Sequence, residues 1–269
     1  MRKCIDFHTH AFPDKLAERA VGSLAANSDP YKPHTDGTIK GLINSMDCSG
    51  VTRSVIANIA TKIEHFEPIM EWSNSIRSER IEPFISIHPD DPQKAERVKT
   101  VKDAGFKGIK LHSMYQDFSI DEKRLYDLYS AAQDLGIIVL FHAGYDIAFG
   151  DDRRASVDKI YSLFKQFPRL KIVASHLGGW RAWDEVLELL CGRDIWLETS
   201  FIDEVPENLL KRIISKHDSH RLLFGSDSPW LSQKNQIEYI KTLGLNTNSV
   251  EKLFFQNANM ILYMESLYA

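Results

Sequence analysis

Short runs of apolar and β-branched residues alternate along almost the whole chain with stretches whose apolar positions recur every three or four residues. The first pattern predicts buried strands and the second helices packed on them, so the alternation predicts parallel strands joined by helical crossovers. The strand-like runs are Cys4–Phe7, Ser54–Ile59, Pro83–Ile87, Gly108–Leu111, Ile137–Phe141, Lys171–Ala174, Ile195–Glu198 and Leu222–Phe224. Helical spacing is clear in Leu125, Leu128, Tyr129 and Ala132, and again in Val186, Leu187, Leu190 and Cys191. Eight such units predict an α/β fold of the (β/α)8 TIM barrel type, filling residues 1–269 as one domain. A doubly wound sheet would want a G-x-G-x-x-G turn after an early strand, and the sequence has none. The segment 12–38 breaks the rhythm. Pro13, Pro30 and Pro33 bracket a helix around Leu16–Ala26, which predicts a long excursion over the first strand that caps the barrel mouth.

Composition changes this picture little. A net charge of −4 with no long single-sign run gives no support to nucleic-acid or membrane-surface binding. No apolar run approaches the roughly 20 residues of a membrane span, and the N-terminal MRKCIDFHTH lacks the apolar core of a signal peptide. A cytoplasmic location is expected. Cys4, Cys48 and Cys191 are scattered, with no C-x-x-C pair, and are expected to be reduced thiols.

In a barrel, chemistry gathers at the C-terminal ends of the strands. There the sequence places His8 and His10, Lys110 and His112, His142, His176, and Asp227. His8 and His10 share strand parity and project to one face, where both imidazoles can reach one ion. His142, after Ile137-Ile138-Val139-Leu140-Phe141, is the next ligand candidate, with a backbone-bonded core histidine as the plainer alternative. Asp227 supplies a carboxylate that can bind metal and take a proton, or that caps a helix ahead of Pro229. His176, followed by Leu177-Gly178-Gly179, is either a second-metal ligand or a general acid/base. Tyr115, Trp180, Arg181 and Trp230 follow strand ends on loops facing the same mouth, where an arginine can grip a carboxylate and an indole can pack a ring.

The ordered set His8-Thr9-His10, Gly105-Phe106-Lys107-Gly108-Ile109-Lys110-Leu111-His112, His142, His176-Leu177-Gly178-Gly179, Gly225-Ser226-Asp227-Ser228-Pro229-Trp230 and Asn257-Ala258 resembles the amidohydrolase superfamily over essentially the full chain. Within it the similarity is to the amidohydrolase-related branch, which includes aminocarboxymuconate semialdehyde decarboxylase and 2-pyrone-4,6-dicarboxylate lactonase. The resemblance implies a metal on His8, His10, His142 and Asp227, with His176 as a catalytic or second-metal residue. In two-metal branches a strand-four lysine is carboxylated and bridges two ions. Lys110 stands at that place, and the expectation is one ion, with two if Lys110 is carboxylated.

The expected activity is hydrolysis of a small amide, ester or lactone by metal-activated water, with Asp227 and His176 catalytic and a divalent ion, Zn²⁺ or alternatively Mn²⁺, as cofactor. Lys110, His112, Tyr115 and Arg181 are expected to bind an anionic small-molecule substrate. The alternatives are a metal-dependent non-oxidative decarboxylase and, in another class, a barrel that binds metal or ligand without turnover. The apolar Phe254-Phe255 and Met260-Ile261-Leu262-Tyr263-Met264 can pack on the barrel or on a partner in a homodimer.

Overall fold

The computed structural model describes residues 3–263. Its strands are β1 (Ile5–Thr9), β2 (Arg53–Ala57), β3 (Ile81–Phe84), β4 (Gly108–Leu111), β5 (Ile138–Phe141), β6 (Lys171–Ala174), β7 (Trp196–Glu198) and β8 (Leu222–Leu223). Helices α1 (Asp14–Ala25) and α2 (Ile39–Ser49) follow β1, and α3 (Phe66–Ile76) follows β2. One helix follows each of the next strands: α4 (Lys94–Asp103), α5 (Tyr126–Leu135), α6 (Val157–Gln166), α7 (Trp183–Leu189) and α8 (Glu207–Lys216). The described residues end with α9 (Gln233–Thr242), α10 (Thr247–Glu251) and α11 (Asn257–Tyr263).

All strand pairs are parallel, in the orders β1-β2-β3 and β4-β5-β6-β7-β8. Two short seams join these sheets into a closed barrel. Ile85 bridges Ile109, with Lys110 N–H donating to Ile85 O at 2.7 Å, and Thr9 bridges Ser228, with His10 N–H donating to Ser228 O at 2.6 Å. The (β/α)8 barrel expected from the alternating pattern is the architecture found.

Strand parity sorts the core. Phe7, Val55, Phe84, Ile138, Leu140, Val173 and Leu223 fill one cluster, while Ile56, Ile109, Val139, Ile172 and Leu197 join the larger cluster that includes the helices. Burial on both faces is why these strands read as continuous apolar runs. Ala258, Ile261 and Leu262 of α11 enter the first cluster and Phe254 the second, so the C-terminal apolar stretch packs on the barrel; Met264 lies outside the described residues. The boundaries of β3 differ from expectation. It begins at Ile81, because Ser54 to Ala57 of β2 pair with Ile81 to Phe84, and Pro83 sits inside the ladder.

The excursion after β1 folds as foreseen. Ala17 and Val21 of α1 are buried against the body of the protein, and Phe12 N–H donates to Gly37 O at 2.8 Å, tying the ends of the loop together. Beneath it lies the closure of the barrel. Asp6 is fully buried and accepts from His8 N (3.1 Å), Ser226 N (3.0 Å), Ser226 Oγ (2.6 Å) and Gln233 Nε2 (2.8 Å). Burial pushes its carboxyl up to about 6, and those donors pull against that rise. Asp6→Ala strands several buried donors and is expected to destabilise the fold by about 2–4 kcal/mol. A lowered urea midpoint checks this, and an unchanged one would remove Asp6 from the closure.

Candidate metal and proton-transfer site

The C-terminal strand ends open into a cavity of about 710 Å³. His8, His10, Lys110, His112, Tyr115, His142, His176 and Asp227 line it, together with Trp180 and Trp230. Of the expected substrate contacts, only Arg181 lies elsewhere: it is exposed, with its guanidinium carbon 4.0 Å above the Trp180 ring. Position after a strand end did not reveal which way that side chain turns.

His8, His10 and Asp227 converge. Asp227 Oδ1 lies 3.1 Å from His10 Nε2 and 3.4 Å from His8 Nε2. Asp227 holds a left-handed φ of 58°, which a non-glycine residue adopts only at some energetic expense and which is common at functional sites. On their far sides the rings are anchored, His10 Nδ1 to Ala57 O at 2.9 Å and His8 Nδ1 to Glu198 Oε2 at 2.9 Å. A carbonyl accepts only, so a neutral His10 carries its proton on Nδ1 and turns a bare Nε2 toward Asp227. Asp227 Oδ1 is buried and has no hydrogen-bond partner. Electron pairs that face one another across about 3 Å fit a cation, and two imidazoles with a carboxylate suit a divalent one.

His142 stands apart from that trio. Its Nε2 donates to Tyr145 O at 2.9 Å, its ring stacks on His112 with centroids 4.2 Å apart, and its Nδ1 is 3.0 Å from His176 Nε2. The sequence grouped it with His8, His10 and Asp227; it lines the same cavity, with its Nδ1 facing His176. Asp146, 3.3 Å from His112 Nε2, joins His112 and His142 in a second cluster of potential ligands. Burial would raise the Asp146 carboxyl, but the hydrogen bond from His112 and the nearby His142 draw it down to about 2.

Glu198 and Ser200 complete a directed chain. Because Tyr145 O fixes the His142 proton on Nε2, His142 Nδ1 must accept, and His176 donates to it from Nε2. His176 Nδ1 then accepts from Ser200 Oγ at 2.7 Å. With that hydroxyl proton committed, the 2.8 Å contact between Ser200 Oγ and Glu198 Oε2 requires a proton on Glu198. Burial supplies it, pushing the Glu198 carboxyl up to about 8. The approach is tight: a Cβ on Gly225 would fall 1.9 Å from Glu198 Oε1, so only glycine fits there. Glu198 was legible as the polar end of an apolar strand, by the same signal that marked His142. Asp146 and Ser200 gave no such signal, since Asp146 sits in an isolated bridge to Gly150 and Ser200 in a turn.

Lys110 is fully buried, its Nζ 3.4 Å from His8 Nε2 and 3.5 Å from Ser175 Oγ. Burial pulls the ammonium down to about 8, against the attraction of Asp227, Glu198 and Asp146.

The amidohydrolase sequence pattern matches residues 5–262, and the chain belongs to that family. A dihydroorotase of Helicobacter pylori (strain ATCC 700392 / 26695) is 25% identical over 187 residues, 66% of this chain and 49% of that protein. The chain therefore spans about half the length of this curated relative. An uncharacterised TIM-barrel protein from Bordetella bronchiseptica superposes with a TM-score of 0.79 at 20% identity, covering 97% of this chain and 98% of that one. A 5-carboxyvanillate decarboxylase from Novosphingobium aromaticivorans, complexed with manganese and 4-hydroxy-3-methoxy-5-nitrobenzoic acid, gives 0.72 at 14% identity, covering 97% and 96%. A probable 2-pyrone-4,6-dicarboxylic acid hydrolase from Acinetobacter baumannii, with citric acid bound, gives 0.68 at 17%, covering 97% and 99%. At these identities the likeness is one of fold. No helix among the described residues is long and apolar enough to cross a membrane.

Two outcomes follow for the metal-free protein. ¹⁵N spectra are expected to show His142 protonated on Nε2, and Ser200→Ala is expected to shift the His176 signals while leaving that His142 assignment intact. A His142 protonated on Nδ1 would break the chain. Burial also lowers the His142 ring from 6.5 to about 4. Between those values the folded protein binds fewer protons than the unfolded chain, so stability falls as pH drops through that window. Buried Asp6 and Glu198, whose carboxyls are raised, act in the opposite sense, so the difference between His142→Gln and the parent in urea midpoints at pH 7 and pH 5 measures it.

Proposed function

We propose that this chain is a divalent-metal-dependent hydrolase of a small anionic lactone, ester or amide. The observation that carries the reading is the donorless Asp227 Oδ1, enclosed with His8 Nε2 and His10 Nε2. Those three residues would hold one Zn²⁺ or Mn²⁺. Such an ion acidifies water and polarises a carbonyl.

The chain's own groups do the rest. The Asp227 carboxylate accepts the proton of the attacking water. His176 Nε2 exchanges its bond to His142 Nδ1 for the leaving group and surrenders its proton there, and Ser200 Oγ and the Glu198 carboxyl lie in line to replace it through His176 Nδ1. Lys110 offers a buried cation in want of an anion, which a substrate carboxylate provides. In this reading Lys110 is not carboxylated and one ion suffices. The second reading, decarboxylation, draws its support from the manganese-containing 5-carboxyvanillate decarboxylase of the same fold. There Asp227 or His176 handles the proton while water takes no part.

Chelation is expected to abolish activity, and Zn²⁺ or Mn²⁺ to restore it. His176→Asn is expected to lower kcat about 10²- to 10⁴-fold with metal content retained. Lys110→Ala is expected to keep metal while raising KM for anionic substrates. Elemental analysis showing two equivalents per chain, falling on Lys110→Ala, would overturn the one-ion site. Purified protein assayed on lactones and on hydroxybenzoates separates the two chemistries, and carbon dioxide release without ring opening would sink the hydrolase reading.

A further inference from the structure

The cavity does not end at the imidazoles. It continues into a cleft between α1 and α3, with Leu16, Ala20 and Leu24 along one side and Pro68, Ile69 and Trp72 along the other. The four-residue spacing on α1 makes one continuous stripe. A neighbouring stripe, Ala17 and Val21, is the part of α1 that is buried. The cleft stripe is therefore not what secures the helix. Leu16 is 53% exposed, more than any other large hydrophobic residue among the described residues. Apolar surface left to water beside a reaction site marks a place that a ligand covers.

Charge is sparse here. The ionisable side chains that α1, α3 and the turn before α3 contribute to the lining are Arg19 and His65. A volume of about 710 Å³ also lies in the upper half of the roughly 300–1,000 Å³ that hold drug-sized ligands. We infer that the substrate carries an extended apolar tail, which lies between α1 and α3 while its acyl group sits at His8, His10 and Asp227. This rests on the hydrolase reading for the position of the acyl group, but the cleft's preference for a tail is measurable without turnover.

Burial of each methylene in such a cleft is expected to raise affinity roughly three- to fourfold. Calorimetry of straight-chain alkanoic acids, propanoic to decanoic, on the metal-loaded protein reads this directly, because the acids are not turned over. The expected result is a stepwise rise over several methylenes and then a plateau. Ala20→Trp and Ile69→Trp, which fill the cleft from opposite walls, are expected to weaken binding by a factor that grows with chain length; two variants on separate helices guard against misfolding of either. Affinity independent of chain length, no binding at any length up to millimolar concentration, or an equal loss for every acid in both variants would each overturn the inference. A parallel series of γ-lactones with lengthening 4-alkyl groups separates the two ideas. No turnover of any lactone, beside a steep chain-length dependence for the acids, would count against the hydrolase reading and leave the cleft assignment standing.

Discussion

The site depends on how the barrel is closed. β8 is two residues long, too short to hold its own C-terminal segment by ladder bonds, and the segment that follows carries the carboxylate facing His8 and His10. The buried Asp6 side chain binds the Ser226 backbone and hydroxyl, the His8 backbone and the α9 side chain of Gln233 at once. Those bonds fix the end of β1 against the end of β8, and Asp227 N–H then donates to His8 O at 2.8 Å. A fully buried carboxyl is unfavourable unless its lone pairs are met. Meeting them aligns the two chain segments whose side chains form the trio.

A second constraint sets proton positions. Tyr145 O can only accept, and from that one fact the arrangement at His142, His176, Ser200 and Glu198 follows in order. Burial acts in the same direction on both kinds of group, keeping the imidazoles neutral and the Glu198 carboxyl protonated. Neutral imidazoles and the neutral Glu198 carboxyl thus stand between the Asp227 and Asp146 carboxylates and the Lys110 ammonium, with defined donor directions. Neutral imidazole is also the form that can ligate metal, and neutral Glu198 the form that can return a proton.

The barrel was legible because a parallel strand covered on both faces must be apolar throughout, and eight such runs stand out at regular intervals. Parity along β1 put His8 and His10 together, and the strand-end rule brought in His142, His176, Lys110 and Asp227. What the rule could not supply is rotation about the last few bonds. The His142 ring is set by a carbonyl three residues on and by the His112 ring, contacts between loops that have no sequence signature. Arg181, left-handed at φ 59°, places its guanidinium over Trp180 and outside the cavity, where the loop alone suggested a substrate grip. Glu198 was within reach, since an acidic residue closing Ile195-Trp196-Leu197 obeys the rule that identified the histidines.

The helix over the mouth arises between His10 and α2, and its ends are clasped by Phe12 and Gly37. It contributes to none of the strand pairs and supplies no member of the His8, His10 and Asp227 trio. The segment between those two clasps meets the closing segment through His34 N–H, which donates to Pro229 O at 2.7 Å, and meets His176 through Tyr31 on Phe201, so changes in α1 away from those contacts redraw one wall of the cavity. Selection on what the cavity accepts can thus act on the α1 face while the few contacts that tie the segment to the barrel are kept.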